Sequence, residues 1–346
     1  MSDALQKVRV GIAGFDHFYA GLDVLEALKK NPDAELVVAA HHDLDHLKSA
    51  TEGMDVKLTT NYREIVDANI DLLVTACPTS QNAHLVIAAA QQGKHIISVK
   101  PFAMTLEDAD QIVAAVKLAG VHFMSFDGLY RLRPQFQQYK TWLKGEELGR
   151  PISTFCMMRS VLPEWLWFGD PYVMGRSWWL DPTQSPGGGW LDHAIYYIDM
   201  LRWLFDSEVV RVSGEISNLK HPDEALEDFG VANLVFDNGA VATVEVTWSV
   251  ERGGFATAFH LVGTNGHLLS DSAGGTSTVR RINFRNAEQG WQDVEPIPDR
   301  GDMTAHMIEV IRGEASPVCT VDDSYSTLAA CLAFYEAAKE MKVVTL

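Results

Sequence analysis

The sequence predicts an α/β chain in two parts: an N-terminal doubly wound parallel sheet, then a C-terminal α+β domain on a mostly antiparallel sheet. Three observations carry this reading. Residues 1 to about 123 alternate helical runs with continuous apolar runs rich in Val, Ile and Leu, the pattern of strands buried on both faces. After about residue 125, strand patterns follow one another with few helices between. Asp237-Asn238-Gly239 separates two of them as a hairpin turn. The expected domains are therefore 1–123 and 124–346.

In the first part, Lys7 to Ala13 reads as a strand and Ala20 to Lys30 as a helix stopped by Asn31-Pro32. Glu35 to Ala40 is a second strand. Asn61 and Glu64 have capping-box spacing and open a short helix. Asp71 to Ala76 is a strand, Ala83 to Gln92 a helix ending at Gly93, and Lys94 to Val99 a strand. Thr105 and Asp108 cap a helix to Ala119, and Val121 to Ser125 closes the series. In the second part, Pro151 to Val161, Glu208 to Ser217, Phe229 to Phe236, Ala240 to Ser249 and Ala256 to Val262 read as strands. Gly187 to Phe205 is the one long helix among them, and Met303 to Arg312 and Asp322 to Met341 are helical near the end. Asp181 to Gly189 is a loop.

Composition excludes several function classes. Of 346 residues, 47% are hydrophobic, which is enough for packed cores. The formal charge of −18 disfavours nucleic acid and anionic membrane surfaces, both of which need a basic face. No apolar run reaches the ~18 to 20 residues of a membrane span. The start shows no secretory pattern. The four cysteines (Cys77, Cys156, Cys319 and Cys331) are far apart, so four reduced thiols in a cytoplasmic protein are expected. The 12 histidines have no HExxH spacing, and no metal site is expected.

A phosphate-loop candidate lies where the first strand meets the first helix: Gly11, Gly14, Phe15, Asp16 and His17. The GxGxxG frame from Gly14 reads G-F-D-H-F-Y, with Asp16 and Tyr19 in the other glycine slots. Asp16 would repel a diphosphate unless it turns away. After the second strand, where an NAD binder carries an acid for the ribose, stand His41 and His42, with Asp43 next. The histidines tolerate a 2′-phosphate and Asp43 argues against one, so NAD and NADP both stay open.

Further segments, taken in order, resemble the Gfo/Idh/MocA oxidoreductases. They are Asp71 to Thr79 (through Cys77-Pro78-Thr79), Ala88 to Ile96, Val99-Lys100-Pro101, Tyr130 to Pro134, Gly187 to Asp192 and Asp228 to Ala232. The resemblance spans nearly the whole chain. It implies a Rossmann domain, then a domain whose large open sheet forms oligomer contacts, giving a homodimer or homotetramer. It also implies NAD(P)-dependent hydride transfer on a sugar, polyol or related cyclic alcohol. Within it, Cys77, Pro78, Thr79, Lys100 and Pro101 join the cofactor-binding residues. Lys100 matches the lysine of the E-K-P motif, with Val99 in the glutamate slot. Asp192 matches the aspartate of the D-x-x-x-H motif, with Tyr196 in the histidine slot.

The same residues carry chemistry of their own. Lys100 lies past the carboxyl end of a buried strand, where ligands of open α/β sheets bind and where an ammonium favours developing negative charge. Asp192 and Tyr196, four apart on a helix, share a face. Tyr196, its phenolate favoured by the lysine, would take a hydroxyl proton, and Asp192 would orient the hydroxyl. The plain alternative is that Tyr196 and Tyr197 are packed helix aromatics. His193 is expected on another face, as a spare acid–base group. Gly187 to Gly189 would let the backbone approach a ligand. Five tryptophans (Trp165, Trp167, Trp178, Trp179, Trp190) cluster in 26 residues and favour a pocket or interface over a core. Arg131 and Arg176 are candidates for a substrate carboxylate, with charge pairing as the alternative. Two other functions stay open: an NAD-dependent glycosidase, and a non-catalytic sugar or dinucleotide sensor, which Asp16 and Tyr19 favour.

Overall fold

A computed structural model describes residues 7–167, 173–283 and 290–346 of the chain. It divides into two compact units. The first comprises Met1–Gly128, Glu164–Pro186 and Asp302–Tyr325; the second comprises Leu129–Pro163, Gly187–Gly301 and Ser326–Leu346.

The first unit opens with β1 (Val8–Ala13), α1 (Phe18–Lys30), β2 (Ala34–Ala40), α2 (Leu44–Ala50), β3 (Lys57–Thr59) and α3 (Arg63–Asp67). It continues with β4 (Leu72–Thr75), α4 (Thr79–Gln91), β5 (His95–Ser98), α5 (Leu106–Ala119) and β6 (Phe123–Ser125). Among the described residues these strands form one parallel sheet in the order β3-β2-β1-β4-β5-β6. That order is the doubly wound dinucleotide-binding topology, with its switch point between β1 and β4. The expected parallel sheet is therefore present. The central strands are buried on both faces because helices cover both, and each fully buried Val, Ile or Leu contributes roughly 1.5–3 kcal/mol. Arg9 and Asp71 pair at 2.9 Å and tie the start of β1 to the residue before β4. Thr105 caps α5 by accepting from Asp108 N–H, and Gly120 ends it at φ 66°. The capping box at Asn61 is only half formed. Asn61 Oδ1 accepts from Arg63 N–H, but the Glu64 carboxylate reaches Lys57 at 2.8 Å instead of the Asn61 amide.

Next come α6 (Pro134–Lys144) and β7 (Pro151–Arg159) of the second unit, then the short pair β8 (Trp165–Trp167) and β9 (Val173–Met174) of the first. The second unit resumes with α7 (Gly189–Phe205), β10 (Val209–Ser217), β11 (Phe229–Phe236), β12 (Val241–Thr247) and β13 (Ala256–Gly263). β14 (Gly266–Ala273), β15 (Thr276–Asn283) and β16 (Gln292–Val294) follow. α8 (Met303–Ile311) belongs to the first unit, α9 (Val321–Glu340) runs from the first into the second, and β17 (Val344–Thr345) ends the chain.

The described strands of the second unit form one sheet in the order β16-β15-β14-β13-β7-β12-β11-β10-β17. β7 and β12 pair in parallel; the other pairs are antiparallel. The hairpin at Asp237 to Gly239 joins β11 to β12 as expected, with Gly239 at φ 86°. α7 packs on one face of this sheet, and Trp190 Nε1 donates to Val244 O at 3.1 Å. β14 to β16 are missing from the sequence reading because their polar residues (Ser270, Asp271, Arg280, Arg281) interrupt the apolar runs.

Candidate active site

In the first unit the site grows from the turn after β1. Gly14 has φ 93°, and a Cβ there would lie 2.6 Å from Cys77 N, so only glycine fits this crossing of two strand ends. A Cβ on Gly11 would sit 2.7 Å from Ile65 Cγ2. Gly14 N–H donates to Ala40 O and His17 N–H to Ala76 O, which anchors the turn to β2 and to the end of β4. Phe15 is fully buried beneath the turn. No side chain caps α1, and no acid stands in its first turn. Its amide end therefore keeps the positive field that suits a diphosphate.

Asp16 lines a cleft, and its carboxylate is paired there. Its Oδ2 accepts from Tyr62 OH at 2.6 Å, and its Oδ1 lies 3.2 Å from His42 Nδ1 and 4.0 Å from His41 Nε2. Its backbone oxygen accepts from Trp178 Nε1 at 3.0 Å. The Asp16 contact raises the His42 pKa, whereas burial lowers that of His41. Burial and the Asp16 charge push the Tyr62 hydroxyl far up, so it stays a donor. His17 is buried among the rings of Tyr19, Trp178 and Trp179. A cleft of about 580 Å³ opens here, lined by Asp16, His42, Tyr62, Pro78, Arg176 and Trp178, among others. Turn, amide end and cleft together fit a dinucleotide phosphate, with Asp16 already paired.

Lys100 is fully buried at the carboxyl side of β5, with Nζ 4.3 Å from the centre of the Trp179 ring. The strand end is clamped from several sides. Val99 N–H donates to Thr75 Oγ1 at 3.0 Å, and Asn82 Nδ2 donates to Ser98 Oγ and to Phe102 O at 2.8 and 2.6 Å. The Lys100–Pro101 peptide is cis. Cys77 and Thr79 are buried beside the cleft, and burial raises the Cys77 thiol well above its usual range. Arg176 donates to Leu180 O at 3.2 Å.

The second unit holds the other candidates, on α7. Asp192 Oδ2 accepts from Trp248 Nε1 at 3.0 Å. His193 does not point to another face: its Nδ1 lies 3.1 Å from the same Asp192 oxygen. Tyr196 is buried, and its ring stacks on Tyr130 at 5.2 Å; Tyr197 OH donates to Met157 O. Arg131 binds Asp199 through two bonds of 2.8 and 2.7 Å, both side chains buried, which is the charge-pairing arrangement. Gly187 to Gly189 approach the protein itself rather than a ligand. A Cβ at Gly187 would meet Tyr335 OH, and one at Gly188 would meet Glu227 O at 2.4 Å. The Glu227 carboxylate accepts from Gly188 and Trp190 N–H and from Tyr335 OH.

The tryptophan cluster is split. Trp178 and Trp179 pack beside the phosphate turn, whereas Trp190 is fully buried in the core of the second unit, stacked on Phe334. The side chains of Trp165 and Trp167 lie outside the described residues. Tyr62, Asn82, Glu227 and Trp248 are functional neighbours that the sequence reading passes over. Each acts on a residue at least 16 positions away, so no local spacing marks it.

The fold and the amide-lined turn define a nicotinamide-dinucleotide oxidoreductase class, and the comparisons agree. Residues 8–126 match the oxidoreductase family's NAD-binding Rossmann fold, and residues 136–269 match the GFO/IDH/MocA C-terminal domain. The chain belongs to the GFO/IDH/MocA oxidoreductase family. It is 27% identical over 292 residues to the 1,5-anhydro-D-fructose reductase of Ensifer adhaerens, covering 84% of each chain. It is 26% identical over 280 residues to the myo-inositol 2-dehydrogenase of Thermotoga maritima, covering 79% of this chain and 78% of that one. The fold matches levoglucosan dehydrogenase in complex with NADH and L-sorbose at TM-score 0.82, with 22% identity and 99% of both chains covered. It matches the aldose-aldose oxidoreductase of Caulobacter crescentus, complexed with glycerol, at TM-score 0.81, with 23% identity over 99% of this chain and 100% of that one.

Proposed function

We propose that the protein transfers a hydride between NAD or NADP and a hydroxyl or carbonyl carbon of a sugar, polyol or related cyclic compound. The carrying observation is Lys100, a fully buried lysine at the carboxyl end of a strand in an NAD-binding unit. Gly11, Gly14, Phe15, Asp16, His17, His41, His42, Cys77, Pro78, Thr79, Lys100 and Pro101 would hold the dinucleotide. When bound, it supplies the nicotinamide carbon that accepts or gives the hydride. Lys100 donates a hydrogen bond to the substrate oxygen and stabilises its developing charge. Tyr196 takes the hydroxyl proton, Asp192 orients that hydroxyl, and in reduction the proton returns by the same route. Arg176, Trp178, Trp179 and His193 complete the substrate contacts, and Arg131, a candidate from the sequence, is committed instead to its buried pair with Asp199. Residues 1–123 are assigned to the dinucleotide. Residues 124–346 are assigned to substrate binding and, through the open sheet, to a homodimer or homotetramer. Four buried free thiols and the lack of a described helix able to cross a membrane fit a cytoplasmic protein.

A second reading of the proton step has an observation of its own. His193 Nδ1 lies 3.1 Å from Asp192 Oδ2, near enough for an ion pair once the imidazole is protonated although no hydrogen bond joins them, whereas Tyr196 is stacked in the core. Tyr196→Phe lowers kcat by roughly 10²–10⁴ if the phenol moves the proton. Full activity in Tyr196→Phe, with loss in His193→Gln, transfers the role to the histidine.

Calorimetric titration with NAD⁺, NADH, NADP⁺ and NADPH tests the whole reading. Binding of one redox pair on the order of micromolar is expected, followed by turnover in a sugar and polyol screen. Binding of none of the four replaces the enzyme reading with the sensor.

A further inference from the structure

Asp16, His41 and His42 do more than decorate the phosphate turn. One ligand atom from each, two imidazole nitrogens and a carboxylate oxygen, lies within 4.8 Å of the others. We propose that these three side chains form a binding site for one divalent ion of the zinc class. This goes beyond hydride transfer and does not depend on it.

The donor set selects the ion. Imidazole with a single carboxylate suits Zn²⁺, Co²⁺ or Ni²⁺; Mg²⁺ and Ca²⁺ require oxygen donors. Ligand atoms around a tetrahedral ion with bonds of ~2.0–2.1 Å lie roughly 3.3 Å apart. Asp16 Oδ1 is already 3.2 Å from His42 Nδ1, at that spacing, and 4.0 Å from His41 Nε2, so completing the set requires the exposed His42 and Asp16 to close on the buried His41.

Outer partners support the geometry. Tyr62 OH holds Asp16 Oδ2 at 2.6 Å, which turns Oδ1 to the histidines. His41 Nδ1 lies 3.1 Å from Asp43 N and 3.2 Å from Asp43 O; with the ring proton on Nδ1, donated to that carbonyl, Nε2 is left as the ligand atom of a metal-binding histidine. Three protein ligands leave a fourth position. Asp16 and His42 both line the cleft, whose other lining residues include Arg63, His84, Arg176 and Asp181, so the ion would be reached from that cleft. An ion here also changes the field at the turn. A carboxylate beside a diphosphate is repulsive, and a divalent ion on it reverses the local sign.

The experiment titrates the chelator-washed full chain with Co²⁺, read by its visible absorption, and displaces it with Zn²⁺. The expected result is one ion per chain with a dissociation constant on the order of micromolar or tighter. Asp16→Asn and His42→Gln each weaken it by at least about tenfold. The His42 side chain is largely exposed, so its variant keeps the fold, which thermal unfolding verifies. His260→Gln is the control: this surface histidine is also paired with an aspartate, at 2.8 Å from Asp271, and its loss leaves Co²⁺ binding unchanged. Absence of Co²⁺ binding, or binding equal in wild type, Asp16→Asn and His42→Gln, overturns the site. Dinucleotide titration in the presence of chelator keeps the two readings apart. Dinucleotide binding without Co²⁺ binding removes the ion site alone, and the reverse removes hydride transfer alone.

Discussion

Trp248 gives the second unit's candidate site one hydrogen bond, and that bond directs the Asp192 carboxylate. Trp248→Phe keeps the buried ring and removes the donor. The expected cost is about 1–3 kcal/mol of stability, because a buried carboxylate oxygen loses its partner. Turnover is expected to fall by roughly tenfold with KM little changed, as for the loss of an orienting contact; steady-state kinetics separate the two parameters. Arg131 and Asp199 make the opposite case, a buried pair whose worth shows when it is broken. Arg131→Met leaves the buried Asp199 with only the weaker contacts of Thr327 Oγ1 at 3.4 Å and Arg202 at 4.0 Å, and is expected to cost about 3 kcal/mol in a urea melt, while replacing both partners with apolar residues costs less. At this scale the sequence reveals Lys100 and Asp192, because a strand end and a helix turn mark them locally. It hides Tyr62 and Trp248, whose meaning comes from chain that folds back over 46 and 56 positions. It also misplaces His193, since a shared helix face is judged by spacing and the ring swings back to its neighbour.

The start of α7 is held by one residue, Glu227, whose backbone oxygen accepts from Gly189 N–H. Glu227 gathers Gly188 N–H, Trp190 N–H and Tyr335 OH, and its burial raises its pKa above the usual glutamate range despite those donors. A raised carboxyl contributes stability that is fully present below the unfolded pKa and lost as pH rises through the folded value. Glu227→Gln should therefore gain stability relative to wild type as pH climbs above about 4.3, and thermal melts across pH read it. Glu227→Ala, which removes the acceptor, should destabilise at every pH. The glycines before α7 were legible as a place of close backbone approach. What they approach was not, because Tyr335 and Glu227 arrive from remote parts of the chain. Helix α6 was hidden for a different reason: Pro134 at its first turn resembles a loop signal unless its role as a helix starter is weighed.

The change near residue 125 was legible where helices alternating with continuous apolar runs give way to successive strand patterns. The interleaving was not: residues 164–186 and 302–325 pack with the first unit, a pairing that periodicity does not encode. In the second unit, β7 alternates buried Thr154, Cys156 and Met158 with partly exposed Ser153, Phe155 and Met157, so the sheet presents one face outward. If that face joins copies of the chain, Phe155→Lys should shift the mass in light scattering to the monomer and leave the circular dichroism unchanged. A change of mass in neither direction would remove this face from the assembly.

The central place of β7 has a consequence for how the chain is made. Its partners are β12 and β13, and neither begins before residue 241. A ribosome that has released the first 200 residues has therefore released β7 with both its edges bare. Contacts this far apart in sequence close slowly. During that interval an apolar strand is open to other nascent copies. Yield in the cell should accordingly depend on chaperone supply and on growth temperature more steeply than the equilibrium stability of the finished protein would suggest.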